Sequence, residues 1–479
     1  MLTHVAPPPT ELIEKADARF RCGHLVYTKV GLFTLFTWLL WGDFCFSLME
    51  NIWPNILPLM LKSQGASNAV LAITITTIPS AMNFVLNPII STASDRYRGR
   101  RGRRIPFLLA ATPFITLFLI LLGFSPELGR LLKSLAAPSS SLSTTSLTIG
   151  VICSLVICFR FFELFVNTVF WYLFNDVVPT AFMGRFVAFF RMVGAVAGAL
   201  FNFLLFRYAE SHTSQIFFGV AVLYGVAFIL MCLNVKEGPY PPPDPLRKST
   251  ESLLAVIATF FRECFSHRIF RLVYYYNTLF AAANAINAFL IFFAFSIGLD
   301  LGGYGNIIGT AGLVGALLMY PMGSLVDRFH PIRVMFVAQF GFCLAMAGKL
   351  IFLFFDFSKE AAFWVFAATS VAAIPITTAN AAAGLPMLMR IFPRERFGQF
   401  CSANAMCAAL GTMSGGALAG VFLDLLKPHF SHADYCYRFV PLWSLAFMIP
   451  TVLCTFLILR EWKRLGGDTA YHPPAPEKL

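Results

Sequence analysis

The feature that most constrains this chain is a series of apolar runs, each near the ~20 residues that a helix needs to cross a bilayer core, separated by short charged connections. The runs read as spans near 30–53, 69–92, 105–124, 147–174, 184–206 and 214–235, and then near 271–297, 304–326, 332–355, 361–388, 399–426 and 438–460. With 58% hydrophobic residues, 13% charged and a mean hydropathy of +0.72, the chain has more apolar surface than a soluble core could hide. Lipid must therefore be the solvent. The runs lack the period-two alternation of strands, which excludes a transmembrane barrel. The expected fold class is an all-α integral membrane protein with twelve transmembrane helices.

An even number of spans places both termini on one side, and the basic residues say which. Seven of the 36 Lys and Arg fall in outer connections: Lys62, Arg130, Lys133, Arg207, Lys359, Lys427 and Arg438. Arg160 and Lys349 lie inside spans, and the remaining 27 fall on the other side, which is thereby read as the cytoplasm. They include Lys15, Arg19, Arg21 and Lys29 of the N-tail, six arginines after span 2, and Lys236, Arg247, Lys248, Arg262, Arg268 and Arg271 around the central linker. The net charge of +12 is thus explained by topology, and no basic folded surface suggests a nucleic-acid partner. Residues 1–29 carry Pro7, Pro8 and Pro9 but no apolar core, so no cleavable signal is expected. Of eleven cysteines only Cys436 sits in an outer connection, so no outer disulfide is expected. The absence of Asn-x-Ser/Thr sequons is consistent with a bacterial inner membrane.

Two pairs of matching segments suggest that the second six spans repeat the first. Ser94-Asp95-Arg96-Tyr97 with Gly102-Arg103-Arg104 after span 2 is echoed by Val326-Asp327-Arg328-Phe329 with Arg333 after span 8. Pro179 and Gly184-Arg185-Phe186 before span 5 are echoed by Pro393 and Gly398-Gln399-Phe400 before span 11. The Ser-rich stretch 125–146 reads as a longer outer loop in the first half. The organisation is then a tail over 1–29, a six-helix bundle over 30–235, a linker over 236–268, a second six-helix bundle over 269–460 and a tail over 461–479. The linker opens with Pro239, Pro241, Pro242, Pro243 and Pro245, which cannot continue a helix, and 251–265 could lie on the membrane as an amphipathic helix.

Asp-Arg followed by Gly-Arg-Arg between spans 2 and 3, with its degenerate copy between spans 8 and 9, resembles the signature loop of the major facilitator superfamily. The resemblance implies the major facilitator fold, in which two six-helix bundles rock about a central site to give alternating access. Asp95 through Pro106-Phe107 resembles the corresponding loop of sucrose-type symporters. Phe170-Trp171, with Pro179 and Arg191, resembles the glycoside–pentoside–hexuronide:cation symporters. Members of that branch carry helix-2 carboxylates for the cation, whereas span 2 here offers Thr74, Thr76, Thr77, Asn83 and Asn87. Span 5 has Gly194 and Gly198 but no Gly-Pro pair, unlike the proton-driven drug exporters, which favours import. Asp95, Arg96, Arg103, Arg104, Asp327, Arg328 and Arg191 are the expected gate residues. Asp95 and Asp327 would pair with loop arginines in one conformation and release them in the other, the alternative being a topology signal alone.

Charges deep in a bilayer are costly and mark function by default. Asp43 and Glu50 in span 1 and Arg160 and Glu163 in span 4 are the candidates, and they are the expected coupling residues. A carboxylate can load a proton in a dry site and release it when an arginine or water approaches. Arg160 and Glu163, three apart, could equally form a structural ion pair. For substrate the expected set is Trp41, Arg160, Asn167, Trp171, Tyr172, Asn284, Asn287, Thr377, Asn380 and Asn404, with Arg160 facing Asn284 and Asn287. Amides both donate and accept, and indole or phenol rings stack on a sugar's apolar face; helix–helix hydrogen bonding is the alternative use. No intramembrane histidine, no Gly-x4-Gly-Lys-Ser/Thr loop and no His-Glu-x2-His occurs, which disfavours an enzyme. The expectation is a monomer without cofactor or metal, importing a sugar or glycoside with protons, or with sodium. Proton-driven export of a drug or metabolite is the competing reading.

Overall fold

The computed structural model describes residues 20–135, 143–240, 253–393, 396–430 and 432–474. Lys15, Arg19, Pro7 to Pro9, the linker prolines from Pro241 to Pro245, and Arg247 and Lys248 lie outside the described residues.

Among the described residues twelve helices are long and apolar enough to cross a membrane. Spans 1 to 6 are Lys29–Ser63, Asn68–Arg96, Ile105–Gly123, Thr144–Val177, Thr180–Tyr208 and Thr213–Asn234. Spans 7 to 12 are Arg268–Ser296, Leu301–Phe329, Pro331–Phe354, Lys359–Ile391, Phe397–His429 and Ala433–Arg464. Hydropathy locates their centres. It misses their ends, because spans 1, 4 and 10 run for 35, 34 and 33 residues and the helix continues into polar sequence. Caps and prolines set several of these ends. Ser67, Ser143 and Ser358 each accept a first-turn backbone N–H through the side-chain oxygen. Pro106 and Pro331 sit in the first turn of their helices, where no amide donor is needed.

The stretch 125–146 contains a helix, Ser125–Leu135, where the sequence suggested a plain loop. Serine content there is misleading, because Leu128, Leu131, Leu132 and Leu135 recur at helical spacing. Its Gly129 packs so tightly on span 4 that a Cβ would stand 2.0 Å from Thr148 Oγ1. In the linker, Leu253–Cys264 is the expected helix.

The chain divides into two compact units. One takes the chain up to Ile52, Val85–Gly198 and the segment starting at His212 that ends before Leu246. Its core includes Phe159 together with Phe46, Phe170, Phe174, Phe186, Tyr224 and Phe228, and the rings of these last six meet edge to face or tilted. The other takes Trp53–Phe84, Ala199–Ser211 and the chain from Leu246 onward. Within it, span 11 packs on span 7, where Gly411 and Gly415 let the backbones approach.

Candidate functional site

In the first unit Arg160 and Glu163 sit one turn apart on span 4, with Arg160 Nη1 2.8 Å from Glu163 Oε2. The same nitrogen is 3.8 Å from Glu50 Oε1 of span 1. Glu163 is fully buried and Arg160 nearly so. Glu50 and Asn167 both lie beside the Glu163 carboxyl. Two carboxylates therefore share one guanidinium, and the trio carries one negative charge unless a proton or cation joins it. Asp43, 1% exposed, accepts a hydrogen bond from Ser47 Oγ at 3.4 Å. Gly194 of span 5 faces it, its Cβ position 4.0 Å from Asp43 Oδ2.

The aromatic candidates are dispersed. Trp41 is 41% exposed and stacks on Phe44. Trp171 packs on Phe190 at 4.8 Å and under the Arg191 guanidinium at 5.5 Å. Tyr172 accepts from Ser91 Oγ and lies 5.0 Å from the Arg104 guanidinium.

Besides Asp95, the signature loop is tied to partners that sequence reasoning missed. Arg104, only 4% exposed, reaches Asp95 Oδ1 at 2.5 Å, Ser94 Oγ at 2.6 Å and Asp176 Oδ2 at 3.0 Å. Arg103 binds the same Asp176 through two nitrogens and stacks on Tyr240 at 4.2 Å. Glu237 then accepts from three successive backbone amides, Arg103, Arg104 and Ile105, at 2.9, 2.9 and 2.7 Å. Those amides open span 3, where no intrahelical carbonyl is available to them. Tyr240 donates to Glu237 Oε2, and burial together with the Glu237 charge pushes its phenol up. The missed signal was an acid at each end of the basic patch: Asp176 closing span 4 and Glu237 following span 6.

The other gate expectations separate from this cluster. Arg96 is exposed and joins no ion pair among the described residues. Arg191 belongs with Trp171. Asp327 is exposed and pairs with no loop arginine among the described residues, while Arg328 lies against Phe329. Arg333 pairs instead with Asp468 beyond span 12, because that tail segment supplies the nearer acid. The two signature loops are thus similar in sequence and different in bonding.

In the second unit Asn284 and Asn287 line a cavity of about 500 Å³, with Trp53, Asn55, Thr76, Phe280 and Thr412 among the other walls. Two departures from regular helix border it, the π-helical Ile73–Thr77 of span 2 and the 3₁₀ turn Ile286–Phe289 of span 7, while Pro54 lies in its wall within the unbroken helix of span 1. Asn287 Nδ2 donates to Asn284 Oδ1 at 3.1 Å, which orients both amides. Among the described residues no charged side chain lines the space. Thr377 bonds its own helix, Asn380 accepts from Gln339 at 2.6 Å, and Asn404 accepts from Asn277 at 2.7 Å. The polar groups of these three are thus engaged by the helices themselves. Sequence periodicity could not separate them from Asn284 and Asn287, since all five are polar residues in apolar runs.

Residues 278–473 match the sequence model of the Major Facilitator Superfamily. The sucrose transport protein SUT4 of Oryza sativa subsp. indica is 29% identical over 192 residues, which cover 36% of this chain and 32% of that protein. The match thus spans about a third of the curated relative. A bacterial homologue of the lysosomal transporter Spinster superposes with a TM-score of 0.65 at 13% identity, covering 94% of this chain and 100% of that one. A D-xylose-proton symporter gives 0.61 at 14%, covering 93% and 99%, and the nucleoside transporter NupG 0.64 at 12%, covering 88% and 99%. These likenesses establish the fold. The superfamily's sequence pattern is thus matched over residues 278–473, and the fold of these solved transporters extends along nearly the whole chain.

Proposed function

We propose that the chain is a secondary active transporter working by alternating access, and that it imports a neutral sugar or glycoside together with a cation, protons being preferred to sodium. The observation that carries this reading is the uncharged cavity of the second unit, where Trp53 and Phe280 stand beside Asn55, Asn284, Asn287, Thr76 and Thr412. Its size suits a small solute. Aromatic faces and paired amides match the alternating apolar and hydroxyl surfaces of a pyranose. An anionic or cationic solute would find no counter-charge in that lining. The partial sequence likeness to a sucrose transport protein supports the same class.

Coupling falls to the carboxylates of the first unit. Asp43 can bind and release a proton as access alternates, and the trio of Arg160, Glu163 and Glu50 has one negative charge to balance with a second ion. The basic bias supports a reading with both tails in the cytoplasm, the chain acting as a monomer in a bacterial inner membrane.

The test is uptake of labelled neutral sugars into proteoliposomes with an imposed proton gradient. Uphill accumulation should collapse with an uncoupler and should be absent in Asp43→Asn, while downhill exchange survives in that variant. Accumulation driven equally well by Asp43→Asn would remove Asp43 from the mechanism. Net extrusion of solute under the same gradient would favour export.

A further inference from the structure

Span 11 has a second face besides the one that Gly411 and Gly415 commit to span 7. Gly416, Gly420 and Asp424 recur every four residues and so form one stripe, covering about 12 Å of helix. Opposite them in the same unit stand Thr76, Ala72, and Asn68 with Ala69 of span 2. A Cβ on Gly416 would lie 2.0 Å from Thr76 Oγ1, and one on Gly420 would lie 2.6 Å from the Asn68 carbonyl oxygen. Only glycine fits either position.

The stripe ends in a charged contact. Asp424 Oδ1 accepts the Asn68 N–H at 3.0 Å, and Oδ2 accepts the Ala69 N–H at 2.9 Å. Both amides belong to the first turn of span 2, at the end opposite the arginine loop, and they have no intrahelical acceptor. The carboxylate also meets the positive end of the helix dipole. Asn68 is fully buried, and its Oδ1 accepts from Lys62 Nζ at 3.0 Å and from Tyr437 Oη at 2.7 Å. Span 2 comes from the first sequence repeat and spans 11 and 12 from the second, so this contact joins the two repeats.

Beyond the glycine stripe, the contacts at this end are made by a carboxylate, an ammonium, a phenol and backbone amides, and each of these groups can exchange its partner for water when the helices part. The glycine stripe adds close packing without side chains that would interlock. Resting on the transport reading above, we propose that Asp424 is the latch of this end of the molecule: its carboxylate on the first turn of span 2 holds the end closed, and each transport cycle must release it.

Cys436 is a native reporter, since it is fully buried beside Tyr437 in the 3₁₀ turn Ala433–Phe439. The experiment measures its reaction with a membrane-impermeant maleimide on the full-length chain in membranes, with Cys436→Ser defining the background. Wild type should label slowly. Asp424→Asn, which lacks the charge and one of the two acceptor oxygens, should label at least fivefold faster, and Gly420→Leu, which wedges the stripe apart, should do the same with Asp424 intact. Each variant is accepted only if it elutes as a monodisperse species. Faster labelling in either accepted variant supports the latch. Unchanged labelling in both, or rapid labelling of wild type, overturns it. Because the readout needs no solute, accelerated labelling in a chain that moves no sugar would leave the latch standing and reject the substrate assignment instead.

Discussion

Arg160 and Glu163 form an ion pair at 2.8 Å along one helix face, and Glu50 from another span closes on the same guanidinium nitrogen at 3.8 Å. Removing Arg160 would strand two carboxylates in a dry environment, at a cost of about 3–5 kcal/mol. Arg160→Leu should therefore insert poorly. Adding Glu163→Met removes one of the two stranded carboxylates and should restore part of the thermal stability but not gradient-driven uptake, which is read in proteoliposomes alongside the melting temperature. Recovered uptake in the double variant would reduce Arg160 to a structural part.

Glu237 caps three amides at the start of span 3, and Gly102 makes room for it with φ +101° and a Cβ position 2.4 Å from Glu237 Cδ. Glu237→Ala should cost about 1–2 kcal/mol, as the loss of a strong cap does. Gly102→Ala should destabilise as well, since alanine must adopt a left-handed backbone and displace the carboxylate. Thermal melting in detergent measures both. A melting temperature unchanged in both variants would mean that the loop is held by its arginines alone.

The cavity makes a selective prediction. Asn287→Leu should weaken sugar binding by about 1–3 kcal/mol, through a lost hydrogen bond and a stranded polar partner, while Asn404→Leu should act chiefly on stability, because its partner is Asn277. Equilibrium binding of a labelled sugar, set beside thermal melting, separates the two. Equal loss of binding in the two variants would contradict the assignment of the cavity.

The linker helix is pinned to span 11 through Glu263, which meets Arg396 at 2.5 Å and accepts from Gln399 at 2.8 Å. The Gln399 and Arg396 hydrogen bonds hold its carboxyl below the ordinary range. A lowered value means that the pair is intact at neutral pH and loosens only as pH falls through that lowered value, below the usual carboxylate value of about 4.3. Amide exchange over Leu253–Cys264 should stay slow from pH 8 to 5, and Glu263→Gln should raise it already at pH 7. Exchange that is unaffected by the substitution would show that the helix is held by its apolar face.

The number of spans, their centres and the Asp43, Arg160 and Glu163 candidates follow from the sequence, because burying an unbroken apolar run or a lone charge in lipid leaves few alternatives. The Arg160–Glu163 pair was legible for the added reason that both lie on one helix at a spacing of three. Pairings between distant segments were not legible: Glu237 on the first turn of span 3, Asp176 on Arg103 and Arg104, and Asp424 on Asn68 and Ala69 depend on which helix ends meet. The cavity residues were hidden for a related reason. Nothing in the sequence sets Trp53 and Asn55 apart near the end of span 1, and Asn284 and Asn404 read alike. Only tertiary structure, through the π-helical Ile73–Thr77 and the 3₁₀ turn at Ile286–Phe289, decides which polar groups open onto a cavity and which are consumed by a neighbouring helix, because hydropathy records how much a residue favours lipid and not which partner it faces.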